Sequence, residues 1–419
     1  MKKTLLFLAA LFFVAAIGKS QTATSVANGN WYMPTTWDCM CIPTAAYTVN
    51  VNHDVVLDND FALNGGTINI ASSGVLRENT SGRYLVMNTG SITNNGKMKI
   101  SRVGFYGGNF VNNDSCLFYS VFFSGAETQN FGTITGADSL FIQADFYNAD
   151  SAVVDAFRVT VNDTLENNGQ LAVSELLNLS VFINEGLADF INFYSANYSR
   201  NSSQLNFTDF TNEGGFDNYG AIYGTSNFHN IGHFYNDTVA VFTVGNDFSN
   251  VDTINQLAYY NNNGHVGVLG NLYNGDTIAG TNTGSFCISE ASTNDGVMLG
   301  TFNFYDQSNG GPPALDNGYI SPTVTFYAYP CVPAVGTIDN SPWLSVYPNP
   351  AADMVNFEFS EVPSNAIITI TDGLGNIIFS QSVSGQQRII FTKGKIPAGL
   401  YIYTVNSDGQ MLAGKILLQ

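Results

Sequence analysis

The apolar and polar positions of this chain alternate in twos over short runs, as in Lys97-Met-Lys-Ile100, Ser139-Leu-Phe-Ile142 and Ala240-Val-Phe-Thr-Val244. A period of two with abundant Val, Ile, Phe and Tyr predicts strands rather than helices. The runs are separated by one recurring phrase: an apolar residue, any residue, Asn, any residue, then Gly or Asp. Its Asn members are Asn94, Asn112, Asn148, Asn167, Asn184, Asn212, Asn230, Asn250 and Asn274, with a degenerate copy at Asn130. The early steps are about 18 residues long, and the later ones stay near that value or lengthen. Self-similarity at this period is the signature of a solenoid.

One corner every ~18 residues leaves room for a turn of two or three short strands at roughly 3.3 Å per residue. Asn and Gly tolerate the left-handed backbone that a sharp corner requires, and Asn can also bond its own backbone. Stacked turns rise about 4.8 Å each, so the ten Asn would mark one column on the order of 50 Å long. Identical amides stacked in this way bond along the column. The pattern predicts an all-β chain: a right-handed parallel β-helix with turns of about 18 residues, then a small antiparallel β-sandwich. A sandwich built on Asn-Gly hairpins is the competing reading, but hairpins do not need the same turn at constant spacing.

The domain boundaries follow from changes of texture. Lys2-Lys3 and the apolar run Leu5 to Ile17 make residues 1–20 a secretory signal peptide, with cleavage expected before Gln21. Residues 21–60 form an N-terminal cap and the first strands, and residues 61–310 the repeats. A closing segment and linker follow at 311–342, carrying Gly310-Gly-Pro-Pro313 and Pro330-Cys-Val-Pro333. From 343 to 419 short strands such as Val355-Asn-Phe-Glu-Phe359 and Leu400-Tyr-Ile-Tyr-Thr-Val405 predict an Ig-like sandwich.

Charge narrows the partners. The net charge is −19, and no Lys or Arg falls between Arg200 and Arg388. Such a surface repels phosphate backbones, which excludes nucleic acid. Five cysteines enter an oxidising compartment, so a disulfide is expected and one thiol is left over. Cys287 and Cys331 bracket the end of the repeats and are the expected pair; Cys39 and Cys41 would face one side of a strand. A zinc site at Cys39-Met-Cys41 lacks two further ligands, so no metal and no cofactor is expected.

Asn30-Trp31, Thr36-Trp37 and the alternating run from Val49 to Leu57 resemble the opening segment of secreted bacterial β-helix proteins. There the tryptophans cover the exposed first turn; stacking of Trp31 and Trp37 on a sugar is the alternative. The body spells Asp, Ser or Thr, then an aliphatic residue six times. This resembles the O-glycosylation motif of Bacteroidetes, which would place glycans on Ser139, Ser151, Thr164, Thr238, Thr253 and Thr277. The same dipeptide is also ordinary turn chemistry.

The last ~75 residues carry Val346-Tyr-Pro-Asn-Pro350, Asp372-Gly-Leu-Gly375, Pro397-Ala-Gly-Leu-Tyr401 and Gly414-Lys-Ile-Leu-Leu418, in that order. They resemble the type A C-terminal sorting domain read by the type IX (Por) secretion system of Bacteroidetes. Pro348, Asn349 and Pro350 match its entry motif, Gly399 and Tyr401 its Gly-x-Tyr strand, and Lys415 its terminal segment. The resemblance implies Sec export, then outer-membrane passage, then release or attachment to surface lipopolysaccharide.

For the passenger, two readings are open. One is a non-catalytic structural or adhesive β-helix that touches glycans or other cells. The other is a β-helix carbohydrate-active enzyme, a polysaccharide lyase or glycoside hydrolase. A hydrolase needs paired carboxylates, for which Asp145 with Asp155 or Asp247 with Asp252 are candidates. A lyase needs a basic group, and the basic cluster is Lys97, Lys99 and Arg102. Asp58-Asn-Asp60 could bind calcium. His229 and His233 flank a corner, while His53 and His265 have no Ser or carboxylate partner evident in sequence.

Overall fold

The computed structural model describes residues 21–80, 82–252, 257–281, 283–326, 344–348, 351, 353–360, 362–363, 366–371, 377–394, 396–397, 399–407 and 410–418. Two compact units divide between Cys331 and Val332.

The first unit is a parallel β-solenoid of about 15 turns across residues 48–326. Each turn contributes to three sheets. Sheet I holds strands such as Phe146–Asn148, Thr164–Asn167 and Val181–Asn184, each pairing in parallel with the next. Sheets II and III are often supplied by a single bent strand. Gln170–Asn178 pairs over both halves with Leu187–Ser195, which pairs in turn with Gln204–Asn212. At a rise of about 4.8 Å per turn the rod is about 70 Å long.

Alternate side chains point inward and stack on their counterparts in the neighbouring turns. Phe193 lies on Phe210 with centroids 4.5 Å apart, and Phe216 on Phe234 at 4.9 Å and nearly parallel. Tyr260 continues that stack at 4.9 Å from Phe234. Rings offset in this way add about 0.5–1.5 kcal/mol each beyond burial.

The Asn residues of the repeated phrase are fully buried, and their amides form ladders. They stand in two columns, not in the single one that spacing suggests. At the corner between sheets I and II, Asn94, Asn112, Asn130, Asn148, Asn167 and Asn184 bond in succession at 2.7–2.8 Å. This column then continues through Asn201, Asn218, Asn236 and Asn262. At the corner between sheets III and I, a second column runs Asn212, Asn230, Asn250, Asn274, Asn294 and ends on Asp316. The repeated phrase changes corners between Asn184 and Asn212.

The Asn and Gly of the repeated phrase are themselves not left-handed, contrary to what their residue types suggest. Among the described residues the non-glycine positions with positive φ are Met40 and Ser151. Glycine ends the phrase for a steric reason, since a Cβ on Gly186 would collide with the carbonyl oxygen of Gly169 in the turn beneath.

The cap and closing segments belong to the coil. Thr22–Thr24 pairs with Thr48–Val51, and Gly29–Asn30 with Asp54–Leu57. Trp31 and Trp37 are wholly buried and edge to face at 5.2 Å, and the Trp37 indole N–H donates to the Trp31 carbonyl. Past Gly310–Pro313 a further turn forms from Leu315–Asp316, Tyr319–Ile320 and Thr325–Phe326, each parallel to the turn before. Residues 315–326 therefore close the rod with one more turn, and 327–343 lie outside the described residues.

Cysteine pairing differs from the expectation at the start of the chain. Cys39 is bonded to Cys41 in a turn, not side by side on a strand. Cys116 is a buried free thiol. Cys287 is disulfide-bonded; Cys331 lies outside the described residues.

The second unit packs two antiparallel sheets over a shared core. Leu344–Tyr347, Met354–Phe359 and Arg388–Thr392 form one. Ala366–Thr371, Ile377–Val383, Gly399–Ser407 and Gln410–Leu418 form the other. Phe357 from the first meets Tyr403 from the second edge to face at 5.2 Å.

Candidate functional site

With the inward positions occupied by core and ladders, any ligand chemistry of the solenoid lies on outward side chains. Strand alternation distributes these over the three sheets, and it separates most of the groups that proximity in sequence had joined. Asp145 precedes a strand of sheet I while Asp155 points out from sheet II, so they do not form a carboxylate pair. Asp247 is occupied by the backbone and side-chain N–H groups of Asn271, both at 3.0 Å. Lys97 and Lys99 share sheet II, but Arg102 lies in sheet III, where its guanidinium bonds the Tyr84 hydroxyl and covers that ring. The three cations are not one basic cluster.

The histidines have partners that sequence separation hides. His53 meets Ser25 at 3.1 Å, and His229 and His265 meet Ser249 and Ser285 at 2.6 Å. The last two pairs are neighbours in successive turns, which is why 20 residues separate them. His233 packs beside Tyr259 with centroids 6.0 Å apart. Asp58 and Asp60 accept from the backbone N–H groups of Tyr32 and Tyr84 and so anchor the cap. Among the described residues no three His, Cys, Asp or Glu are grouped to hold a metal ion. Trp31 and Trp37 present no surface to a sugar.

The six Asp-Ser/Thr positions differ in access. Ser151 and Thr238 are exposed in equivalent turns, closed by the Ala152 N–H on Ala149 and the Ala240 N–H on Asp237, both 3.0 Å. Ser139, Thr164 and Thr277 are half-buried within strands, and Thr253 lies outside the described residues.

Two outward features were not read from sequence. Glu127, Asp145 and Glu166, with Tyr147 and Thr164, line a shallow depression of about 250 Å³ on sheet I. Tyrosine hydroxyls also donate repeatedly to carboxylates of the next turn: Tyr194 to Glu213, and Tyr198 to Asp217 at 2.9 Å. Burial first, then the hydrogen bond and the negative charge, push both phenols up to about 12. The partners lie 19 residues apart, two beyond the register of the turns, which sets Tyr194 opposite Thr211 and Arg200 opposite Asp217.

Near the end of the rod, Asp306 is a fully buried carboxylate. Its oxygens accept from the backbone N–H and hydroxyl of Ser292, from Ser308, and from the Ala314 N–H. Burial opposes its ionisation, but the hydrogen bonds together outweigh it and hold the group below the ordinary carboxylate range. It fastens the Gly310–Pro313 excursion to the rod.

In the second unit Gly399 and Tyr401 lie on one strand, with Ile402 opposite Lys415 on its antiparallel neighbour. Tyr401 is buried, and its hydroxyl donates to the Pro397 carbonyl at 2.9 Å. That bond explains the Pro-x-Gly-x-Tyr spacing, because the ring reaches back to fix the turn that begins its own strand. Pro348 is exposed directly after the first strand; Asn349 and Pro350 lie outside the described residues.

Residues 345–419 match the secretion system C-terminal sorting domain family. No curated protein matches the chain. The sorting domain together with the parallel coil makes this chain a type IX secretion substrate with a β-helix passenger. It is destined for the secreted or cell-surface compartment, and the type IX machinery is its partner in export.

Proposed function

We propose that the passenger is a non-catalytic rod with a structural and adhesive role. In this reading residues 1–20 direct Sec export and the chain ends free or held at surface lipopolysaccharide of a Bacteroidetes cell. The observation that supports adhesion is the set of exposed aromatic side chains along the coil, among them Tyr106, Tyr119, Phe131, Phe157, Tyr219 and Tyr273. Aromatic faces amid neutral amides suit contact with the apolar faces of sugar rings. Glycans, on polysaccharide or on other cells, are the proposed ligands.

Ser151 and Thr238 are the proposed principal O-glycan carriers, because a transferase can reach them in their turns; mass spectrometry of protein from the native host tests this. The passenger reading is tested by incubating the mature chain with immobilised acidic and neutral polysaccharides. Saturable binding with no new reducing ends or unsaturated products is expected, and release of either would overturn it. For export, a chain ending at residue 344 is expected to remain in the periplasm.

The depression lined by Glu127, Asp145 and Glu166 favours a second reading, a glycoside hydrolase, since such enzymes work with two carboxylates about 5–9.5 Å apart. Glu127→Gln and Glu166→Gln would then abolish any polysaccharide cleavage found.

A further inference from the structure

The Cys39–Cys41 disulfide does little that a structural cross-link does. Such bonds stabilise mainly by restricting the unfolded chain, and the effect grows with the length of loop enclosed. Here the enclosed loop is one residue, Met40. No two turns of the solenoid are joined by it.

The residue it encloses is instead held in a strained backbone conformation. Met40 sits at φ 50°, in the left-handed region that side chains with a Cβ seldom adopt. Opening the ring frees that backbone. The sulfurs are also accessible, because Cys39 and Met40 are exposed and Cys41 is half-buried. Immediately upstream the chain is fixed. Trp37 is buried and its carbonyl accepts the Met40 N–H at 3.0 Å, while the Asp38 N–H donates to Thr24 at 2.9 Å. A strained, accessible disulfide is thus held at a defined position beside the first turn of the rod.

We propose that Cys39 and Cys41 form a thiol–disulfide exchange site, primed by the backbone of Met40, whose substrate class is an external thiol. The incoming thiolate attacks Sγ of the exposed Cys39. A bond forms between the incoming sulfur and Cys39 as the Cys39–Cys41 bond breaks, and the electron pair leaves on Cys41 Sγ, which takes a proton from water. The product is a mixed disulfide on Cys39 and a thiol on Cys41. With a dithiol, the second substrate thiolate displaces Cys39, so the substrate is oxidised by two electrons and the cysteine pair is reduced by two. The external thiol is the reductant. The site would tether a thiol-bearing partner covalently to the N-terminal end of the rod.

The test is a titration of the full mature chain with reduced glutathione at neutral pH, quenched by alkylation and read by peptide mass spectrometry. Cys39 and Cys41 are expected to open at about tenfold less thiol than Cys287, which is also disulfide-bonded, with a glutathione adduct passing through Cys39. Met40→Gly, which adopts positive φ freely, is expected to raise the thiol required several-fold without changing the melting temperature of the rod. Opening of the pair only together with Cys287, or an unchanged requirement in Met40→Gly, would overturn the proposal.

Discussion

Asn184 donates its side-chain amide to Asn201, 17 residues on, and not to Asn212, the next member of the repeated phrase. Asn212 stands in the other column, opposite Ser195. The consequence is that Asn201, which lacks a following Gly or Asp, is an interior member of the longer ladder. Its Nδ2 donates to Asn218 and to the Ser203 and Ala221 carbonyls. Asn201→Ala is expected to cost about 2–3 kcal/mol, from a small cavity and buried groups left without partners. Chemical denaturation measures the loss, and hydrogen exchange should place it in the turns on either side. Asn201→Asp should cost more, because a carboxylate cannot donate onward to Asn218. Asp316→Asn should be nearly neutral, since that terminal residue only accepts, from Asn294 and from the Gly318 N–H, and is exposed.

Trp37 closes the first turn with both its ring and its indole N–H. Trp37→Ala is expected to cost about 3–5 kcal/mol. In a rod whose turns contact only their neighbours, the damage should stay at one end. Amide exchange is expected to accelerate across residues 48–70 and remain unchanged beyond Asn130.

Asp306 gives the last turns a dependence on acid. Its folded-state value is lowered, so its contribution is present above the unfolded value near about 3.9 and is lost as pH falls through the folded one. Exchange of the Ser308 and Ala314 amides should therefore be slow at pH 5 and rise below about pH 4. Asp306→Asn should remove that dependence and leave the excursion loose at every pH.

Tyr194 and Tyr198 act at the other end of the scale. Their phenols are raised to about 12, so the stabilisation they give is complete below about pH 10 and is lost as pH rises through about 12. Ultraviolet titration should show these two ionising after ordinary tyrosines. Asp217→Asn is expected to bring Tyr198 down while leaving Tyr194 in place.

The parallel coil and its repeat length were legible because one strand-and-corner unit recurs at nearly constant spacing. The sorting domain was legible because its landmarks are contiguous. Column membership was not, because the phrase occurs at two corners of one turn and a linear pattern carries no label for the corner. The meaning of Gly was misread for a related reason. Its role in the corner is close approach to the turn beneath, which only the stacked structure reveals at Gly186. Pairs such as His229 with Ser249, or Tyr198 with Asp217, depend on register between turns. Asp145 and Asp155 were separated by a change of sheet that ten residues of sequence do not announce.

The two amide columns overlap only between Asn212 and Asn262. Toward the N-terminus the rod is laced at one corner, and toward the C-terminus at the other. A load drawn along the chain from either terminus would therefore peel singly laced turns first and meet its greatest resistance in the middle. An exported rod built this way would yield by paying out length from its ends while its central turns hold.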